Sequence, residues 1–296
     1  MEKIKNILKE LNEFGISKSN INDILNPNEI EFYNQLEVFY NNSLKDQNIK
    51  QKINEISNGN VDSNGKQKSY EITHDVYLKS PLSFDNIPLI QLYLSKNILK
   101  IAKEYLGPAI KLRNPLAWIH PATNQKKEIR SQKWHRDQED YKMLKVFILF
   151  SDVNNKNGPT NYVKSTKFGS KFGNVAPNMI WAKNHWSKHN KILGKIYNKT
   201  REIFPFNYPI PRKNIVKATG KMGTIYFLDT NGLHKGGFVQ EGIRLMTHCN
   251  FLRSESPMLN KGQILEKLNS DEKLFSFDYN SETFKSFDSD IQKILI

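Results

Sequence analysis

The stretch that decides the fold is WHRDQEDYKMLKVFILF, residues 134–150, in which a histidine and a carboxylate come shortly before an apolar run. That run, KVFILF at 145–150, is rich in aromatic and β-branched residues and predicts a strand. If His135 and Asp137 lie on an extended segment, their side chains leave the same face, because side chains alternate along a strand. One imidazole and one carboxylate aimed at a common point supply two thirds of a metal site.

A second stretch far downstream, GTIYFLDTNGLHKGG at 223–237, supplies the remaining ligand. Its first six residues read as a strand, His234 follows, and a Gly-Gly turn comes directly after. Two histidines and one carboxylate form the facial triad of non-haem Fe(II) oxygenases, which leaves open positions on the metal. The sequence therefore predicts an Fe(II) site with His135, Asp137 and His234 as its ligands and catalytic residues.

Arg244 adds a feature that a chance His-x-Asp pair lacks. It follows His234 by ten residues, across a turn rich in glycine at 236–242, and begins a strand-like run. A hairpin there returns Arg244 to the neighbourhood of His234. Because a guanidinium grips a carboxylate with two parallel hydrogen bonds, we expect Arg244 to hold the far end of a 2-oxo dicarboxylic acid.

Taken together, these segments resemble the phytanoyl-CoA dioxygenase family of Fe(II)/2-oxoglutarate oxygenases. The matching segments are WHRDQEDY at 134–141, FILFSDVNNKNGPTNYVKSTK at 147–167, and GTIYFLDTNGLHKGG followed by GIRL at 223–245. In the family the second segment commonly ends in Gly-Ser-His, whereas here it ends in KSTK. The resemblance covers the middle and C-terminal half of the chain and is almost silent on the substrate.

The resemblance implies a mainly β fold with flanking α-helices, built on a double-stranded β-helix (jelly-roll, cupin-like) core. We expect one domain over residues 1–296. Its parts are an N-terminal helical support at 1–110, a core at 111–253 with an insertion at about 165–213, and a C-terminal helical element at 254–296.

Local patterns in the N-terminal part predict mostly helices. Residues 1–45 read as two helical stretches with a break at Asn26-Pro27. Residues 46–68 are polar and contain Asn-Gly pairs, which predicts a loop. A helix at about 89–105 is expected to end at the following Gly-Pro pair.

The implied reaction is oxidation by O2 with 2-oxoglutarate as cosubstrate, which yields succinate and CO2 while a substrate C–H bond is hydroxylated. Asp137 supplies a carboxylate where related halogenases have Gly or Ala, so hydroxylation is favoured over halogenation. In related proteins the strand before the triad lines the 2-oxoglutarate site. Thr123, Asn124 and Gln125 are therefore candidates to contact the cosubstrate, and the sequence does not choose among them.

Four residues are candidate substrate contacts. Gln138 and Tyr141 continue the rim just after the triad carboxylate, and Trp181 belongs to the insertion. His248 shares the strand face of Arg244 by parity, so it points into the pocket or is a satisfied core histidine.

The charge distribution bears on the substrate. The chain has a formal net charge of +14, and residues 164–201 contain nine Lys or Arg and no Asp or Glu, interleaved with aromatic residues. One interpretation is a solvated basic surface; the other is a lid that attracts a small anionic substrate. A basic nucleic-acid-binding protein and a non-catalytic jelly-roll binding protein are the alternative functions.

Composition bounds the remaining properties. A hydrophobic content of 38% with 11% aromatic residues is typical of a folded globular protein. The single cysteine, Cys249, offers no disulfide framework, which favours a reducing compartment. The N-terminus lacks the apolar run of a signal peptide, and no window is long and apolar enough to span a bilayer. We therefore expect a cytoplasmic protein without membrane insertion, whose oligomeric state stays open.

Overall fold

Antiparallel strands form the centre of the protein, and helices from its N-terminal third pack against one side of them. The structure is a computed structural model that describes residues 2–59, 61–62, 65–66, 70–71, 88–124, 128, 130–137, 139–175, 209–254, 285 and 289–295. Every strand pair within these ranges is antiparallel. The expected mainly β fold with flanking helices is confirmed at this level.

Seven helices and eleven strands occur in the described ranges. The helices are α1 Glu2–Phe14, α2 Ile21–Ile24, α3 Pro27–Ser43, α4 Gln47–Ser57, α5 Pro88–Tyr93, α6 Lys96–Leu106 and α7 Ser289–Leu295. The strands are β1 Ile16–Asn20, β2 Val61–Asp62, β3 Gly65–Lys66, β4 Tyr70–Glu71, β5 Ile110–Pro121, β6 Leu144–Leu149, β7 Asn161–Val163, β8 Ile215–Lys217, β9 Thr224–Leu228, β10 His234–Lys235 and β11 Ile243–Arg253.

The strands form two main sheets. The larger has six strands in the order β1-β9-β6-β11-β5-β4, and the smaller has three in the order β10-β7-β8. Strands β2 and β3 make a separate hairpin. Strand β11 lies between β5 and β6 and pairs with both along most of its length, with a register shift between His248 and Asn250. It is one of the two central strands of the larger sheet.

The larger sheet lies between two different apolar layers. On one face, Val146, Ile148, Cys249 and other inward residues pack with the buried side chains of α1, α3, α4, α5 and α6. On the other face, Phe147, Leu149, Tyr226, Leu228 and Met246 pack against Tyr162 of the smaller sheet. Because neighbouring residues of one strand face opposite layers, the parity of each strand decides which side chains face the helices.

Buried tyrosines fasten the helices to the sheet. Tyr33 of α3 stacks on Phe150 with ring centroids 4.5 Å apart. Tyr40, also on α3, donates a hydrogen bond to the Met246 carbonyl of β11 at 2.7 Å. These contacts fix the position of β11, the strand that carries Arg244, relative to the helical layer.

Two N-terminal predictions are wrong. The sequence predicts only helices over 1–45, but Ile16–Asn20 is a strand that pairs with β9, with Ile16 opposite Leu228. Gly15, with φ of 78°, ends α1 and allows this reversal. The partner strand lies more than 200 residues away in the sequence, so local patterns carry no signal for the pairing.

The loop predicted at 46–68 is wrong over α4. The Asp46 side chain accepts a hydrogen bond from the Ile49 N–H at 3.0 Å and so caps this helix, and Ile49, Ile53 and Ile56 are buried. The apolar spacing that marks one helix face was present in the sequence, but the Asn-Gly pairs further on outweighed it. The hairpin of β2 and β3 lies where those pairs occur.

The remaining N-terminal predictions are confirmed in part. The break at Asn26-Pro27 is confirmed: Asn26 is the N-cap residue of α3, and Pro27 is its first residue. The helix predicted at 89–105 is split into α5 and α6, with Ser95 as the N-cap of the second. The helix end at Gly107 is confirmed as the C-cap of α6.

The insertion and the C-terminal element are described only in part. Residues 176–208 of the insertion lie outside the described ranges, as do most of residues 255–288, while α7 provides one short helix near the C-terminus. Within the described portion of the chain, none of the helices combines the length and apolar character needed to cross a bilayer.

A buried carboxylate links the helical layer to the turn that precedes the second histidine. Asp229 is 1% exposed, and the Tyr105 hydroxyl of α6 donates to its Oδ2 at 2.6 Å. Burial raises the pKa of Asp229 to about 6, against the opposing effect of this hydrogen bond. The folded protein therefore holds this proton more tightly than the unfolded chain does.

We predict that Asp229 makes stability depend on pH. Its contribution to the free energy of unfolding falls as the pH rises from about 4 to about 6, by on the order of 2–3 kcal/mol, because the folded state must then ionise a buried acid. Asp229→Asn should remove this contribution, whereas Glu104→Gln, an exposed change on the same helix as Tyr105, should keep it. Urea unfolding at pH 4.5 and 7 measures the difference. If Asp229→Asn and the wild type change in stability by the same amount between these two pH values, the assignment is wrong.

Candidate metal centre

Backbone hydrogen bonds bring the two histidines together. His135 and His234 form an antiparallel bridge in which each N–H donates to the carbonyl of the other at 3.0 Å. The Asp137 N–H donates to the Thr230 carbonyl at 2.9 Å. One ligand atom from each of His135, Asp137 and His234 then lies within 4.8 Å of the others. The predicted triad is assembled as a potential metal-binding group.

The imidazole rings are oriented for metal binding. His135 Nδ1 lies 2.7 Å from the Lys133 carbonyl, and His234 Nδ1 lies 2.9 Å from the Gly232 carbonyl. Because a carbonyl only accepts, each Nδ1 donates to its carbonyl, and each Nε2 is the ring nitrogen that is left to face a metal. Both Nε2 atoms lie 3.7 Å from an oxygen of Asp137, so the three donors converge.

The protonation states also suit a cation. Burial lowers the pKa of His234 to about 4, so this ring is neutral at neutral pH. Burial alone would raise the pKa of the Asp137 carboxyl, but the Lys145 ammonium and the two histidines hold it well below its usual range. A neutral imidazole at His234 and an ionised carboxylate at Asp137 are donors of the kind that a facial triad requires.

A cavity of about 240 Å³ opens beside these ligands. Alternate residues of three strands form its walls: Trp118 and His120 of β5, Lys145 and Phe147 of β6, and Arg244, Met246 and His248 of β11. These residues share the sheet face that points away from the helical layer. The smaller sheet adds His234, and Thr160 directly before β7 also lines the cavity, so the cavity lies between the two sheets.

Arg244 lies in this cavity with unused donors. Its side chain is 4% exposed, and its Nε and Nη1 have no hydrogen-bond partner among the described residues. Burial lowers its pKa to about 10, so it stays charged at neutral pH. A buried cation without an acceptor is costly. A ligand carboxylate would satisfy it, and the buried Trp118 Nε1, also without a partner in these ranges, offers a further donor.

Of the two interpretations of His248, the structure supports the pocket. His248 lines the cavity, stacks on Trp118 with ring centroids 6.2 Å apart, and meets the edge of Phe147 at 5.7 Å. Burial lowers its pKa to about 3, which keeps the ring neutral. It contributes a flat, uncharged wall.

Of the other predicted contact residues, one lines the cavity, two do not, and the rest lie outside the described residues. Thr123 lines the cavity, while the exposed Asn124 does not, because its N–H is directed to the Ser57 carbonyl at 3.4 Å. Tyr141 is 64% exposed and packs against Phe168, with ring centroids 5.3 Å apart, outside the residues that line the cavity. Gln138, Trp181 and Gln125 lie outside the described residues.

Sequence reasoning missed three residues of the site. The local pattern predicts only strands at Lys145 and Trp118, although both share the parity of cavity residues. It predicts no role for Arg136, which lies between the two ligands. Strand parity was the available signal for the first two.

Arg136 faces away from the metal ligands and ties the adjoining loops together. Its guanidinium donates to the carbonyls of Thr166 and Asn231, and to those of Gly173 at 2.9 Å and Val175 at 2.5 Å. It thereby joins the first residues of the insertion to the turn that precedes His234.

Gly232 is required in that turn by close approach. A Cβ at this position would come 2.0 Å from the Tyr162 hydroxyl, which donates to the Asp229 carbonyl at 2.9 Å. The Gly232 carbonyl is also the acceptor that orients His234. The glycine thus allows the turn to pack directly beneath the second histidine.

Comparisons with known proteins show the fold. No protein-family model and no curated protein sequence matches the chain. Solved structures of the non-heme alpha ketoglutarate dependent epimerase SnoN from nogalamycin biosynthesis do match. One has a TM-score of 0.50 at 14% identity, over 86% of this chain and 84% of that chain. SnoN in complex with Fe3+, alpha ketoglutarate and nogalamycin RO gives a TM-score of 0.51 at 13% identity, with the same coverage. The chain therefore shares its fold with SnoN.

We predict that Asp137→Ala weakens binding of Fe(II), or of Co(II) as its stand-in, by at least about tenfold, because the variant loses the only anionic donor of the triad. Anaerobic titration calorimetry measures the affinity. Asp152→Ala, which removes an exposed carboxylate paired with Lys221, serves as the control and should bind as the wild type does. Equal metal affinity in Asp137→Ala and wild type would disprove the triad.

Proposed function

We propose that the protein is an Fe(II)- and 2-oxoglutarate-dependent dioxygenase of the phytanoyl-CoA dioxygenase type, which hydroxylates a C–H bond of a small anionic metabolite. The observation that carries this proposal is the buried Arg244 guanidinium, whose free donors line the same cavity as His135, Asp137 and His234. A metal site alone would fit many proteins. A metal site with an unsatisfied cation deep in one cavity fits a chelating ligand that has a second carboxylate.

The fold supports the same proposal. Two antiparallel sheets enclose the cavity, and the metal-ligating residues lie where the smaller sheet meets the segment before β6. We interpret this pair of sheets as a double-stranded β-helix. The likeness to SnoN, whose structure was solved with Fe3+ and alpha ketoglutarate, is consistent with this interpretation.

Each group of cavity residues would have a separate role in the reaction. His135, Asp137 and His234 would hold Fe(II), and Arg244 would hold the far carboxylate of 2-oxoglutarate. When bound, the metal and 2-oxoglutarate supply the activation of O2, with succinate and CO2 as products. Trp118, Phe147 and Met246 would form the apolar walls that limit water around the reacting groups.

An anionic substrate accounts best for the sequence of the insertion. Its nine cations without an acid, over 164–201, predict a positive potential near the mouth of the cavity. Most of these residues lie outside the described ranges, so this part of the proposal rests on composition. The single cysteine, Cys249, is buried and free, which is compatible with a cytoplasmic enzyme.

The cosubstrate assignment predicts that Arg244→Lys raises the dissociation constant for 2-oxoglutarate about tenfold or more, because a lysine keeps the charge but loses the two-pronged geometry. Metal affinity should change less than about twofold. The visible charge-transfer band of the anaerobic Fe(II) complex reports 2-oxoglutarate binding. Arg212→Lys, an exposed arginine on a short 3-10 helix, is the matched control. Unchanged 2-oxoglutarate binding in Arg244→Lys would remove Arg244 from the site.

Substrate class is tested by succinate release. Anionic metabolites should stimulate it, and kcat/KM for an active compound should fall with ionic strength more steeply than 2-oxoglutarate affinity does. Replacing Lys183, Lys188 and Lys191 together with Gln should raise KM and spare uncoupled turnover. A triple change of exposed helix lysines, Lys9, Lys50 and Lys52, is the control. If both triple variants match the wild type at low salt, the insertion does not select anions.

A further inference from the structure

Lys145 is the second cation of the metal cavity, and the triad scheme gives it no role. It follows the first residue of β6, and its side chain is 15% exposed. Its Nζ donates to Asp137 Oδ2 at 2.7 Å, and the same oxygen faces His234 Nε2 at 3.7 Å. An ammonium thus pairs with the carboxylate that a metal would use.

This pairing opposes metal binding. A cation in direct contact with a ligand carboxylate repels a second cation and draws charge away from the oxygen donors. Once a divalent metal takes Asp137, the pairing with Lys145 weakens. A largely buried ammonium that loses its counter-ion must find another or bear a large desolvation cost.

The cavity offers no second acid for this purpose. Among the described residues that line it, Asp137 is the only carboxylate, against the two cations Lys145 and Arg244. A bound divalent metal would add two further positive charges. The cavity with metal therefore has a strong electrostatic preference for a ligand with two negative charges.

The two cations lie toward different ends of the cavity. Lys145 is opposite Asn250 in the pairing of β6 with β11, whereas Arg244 lies six residues earlier on β11, opposite His120 of β5. Lys145 marks the metal end, because it contacts a triad residue. A ligand with a carboxylate at each end would place one near each cation.

We propose that Lys145 exchanges partners: it pairs with Asp137 in the metal-free protein and with the metal-side carboxylate of the 2-oxo acid once a metal occupies the triad. Binding of the metal and binding of the 2-oxo acid then favour each other. The metal displaces Lys145 from Asp137, and the acid provides the displaced ammonium with a new counter-ion. The identity of the anion as 2-oxoglutarate rests on the proposed function. The competition between Lys145 and the metal does not.

The test uses Lys145→Met in the full chain, with Co(II) and 2-oxoglutarate as probes. Without 2-oxoglutarate, the variant should bind Co(II) about tenfold more tightly than the wild type, since the competing cation is gone. The Co(II)-loaded variant should bind 2-oxoglutarate about tenfold more weakly. Anaerobic titration calorimetry and the visible spectrum of Co(II) measure both affinities without any turnover.

Two further variants serve as a replacement for Lys145→Met and as a control. Lys145→Gln retains a hydrogen-bond donor without the charge and should behave as the methionine variant does, so it decides the result if Lys145→Met does not fold. Lys235→Met removes a cation next to His234 that pairs with Glu128 rather than with Asp137. It should keep both affinities within about twofold of the wild type.

Each outcome separates the two claims. Weaker Co(II) binding in both Lys145 variants would overturn the exchange, because Lys145 would then only hold Asp137 in place. Tighter Co(II) binding with unchanged 2-oxoglutarate affinity would overturn the second partner. A wild-type protein that binds Co(II) and no 2-oxoglutarate would overturn the proposed function, while the Co(II) comparison would still decide whether Lys145 competes with the metal.

Discussion

The reciprocal hydrogen bonds between the backbones of His135 and His234 are the contact on which the site depends. They join the segment before β6 to the two-residue strand β10 of the smaller sheet. Each ring is then oriented by a carbonyl two residues before it in its own chain segment. Ligand direction is therefore set locally, while ligand proximity is set by the bridge.

Because side chains alternate along its strands, the larger sheet has one face in the hydrophobic core and the other in the cavity. On β11, Leu245, Cys249 and Phe251 face the helices, while Arg244, Met246 and His248 face the cavity. The tyrosines of α3 hold the same strand from behind through its backbone. A rigid β11 keeps Arg244 at a fixed depth, which a two-pronged carboxylate contact needs.

The charged side chains of the cavity indicate which ligands it would bind. Arg244 has buried donors without acceptors among the described residues, and the Lys145 ammonium donates a hydrogen bond to Asp137. The first is unfavourable in a protein that binds nothing, because the desolvation cost of the guanidinium is not offset, and the second makes a metal compete with a cation for Asp137. A divalent metal together with a dicarboxylate resolves both.

Much of the β architecture could be predicted from the sequence. The strands at 110–121, 144–149, 224–228 and 243–253 have apolar or alternating runs that local patterns detect, and the turn glycines mark their ends. Strand β1 could not be predicted, because five residues with two polar serines become a strand only by pairing with β9. Helix α4 was predictable from its isoleucine spacing but was masked by neighbouring Asn-Gly pairs.

The sequence by itself determined which side chains form the candidate metal site, because the triad and Arg244 consist of distinctive residue types at a recognisable order and spacing. It also determined which face of β11 each residue takes, since parity is a local property. Only the tertiary structure decided that Lys145 pairs with Asp137, that His248 lies in the cavity and that Asn124 does not. Those outcomes depend on which strands become neighbours and in what register, and register is set by contacts between residues far apart in the chain.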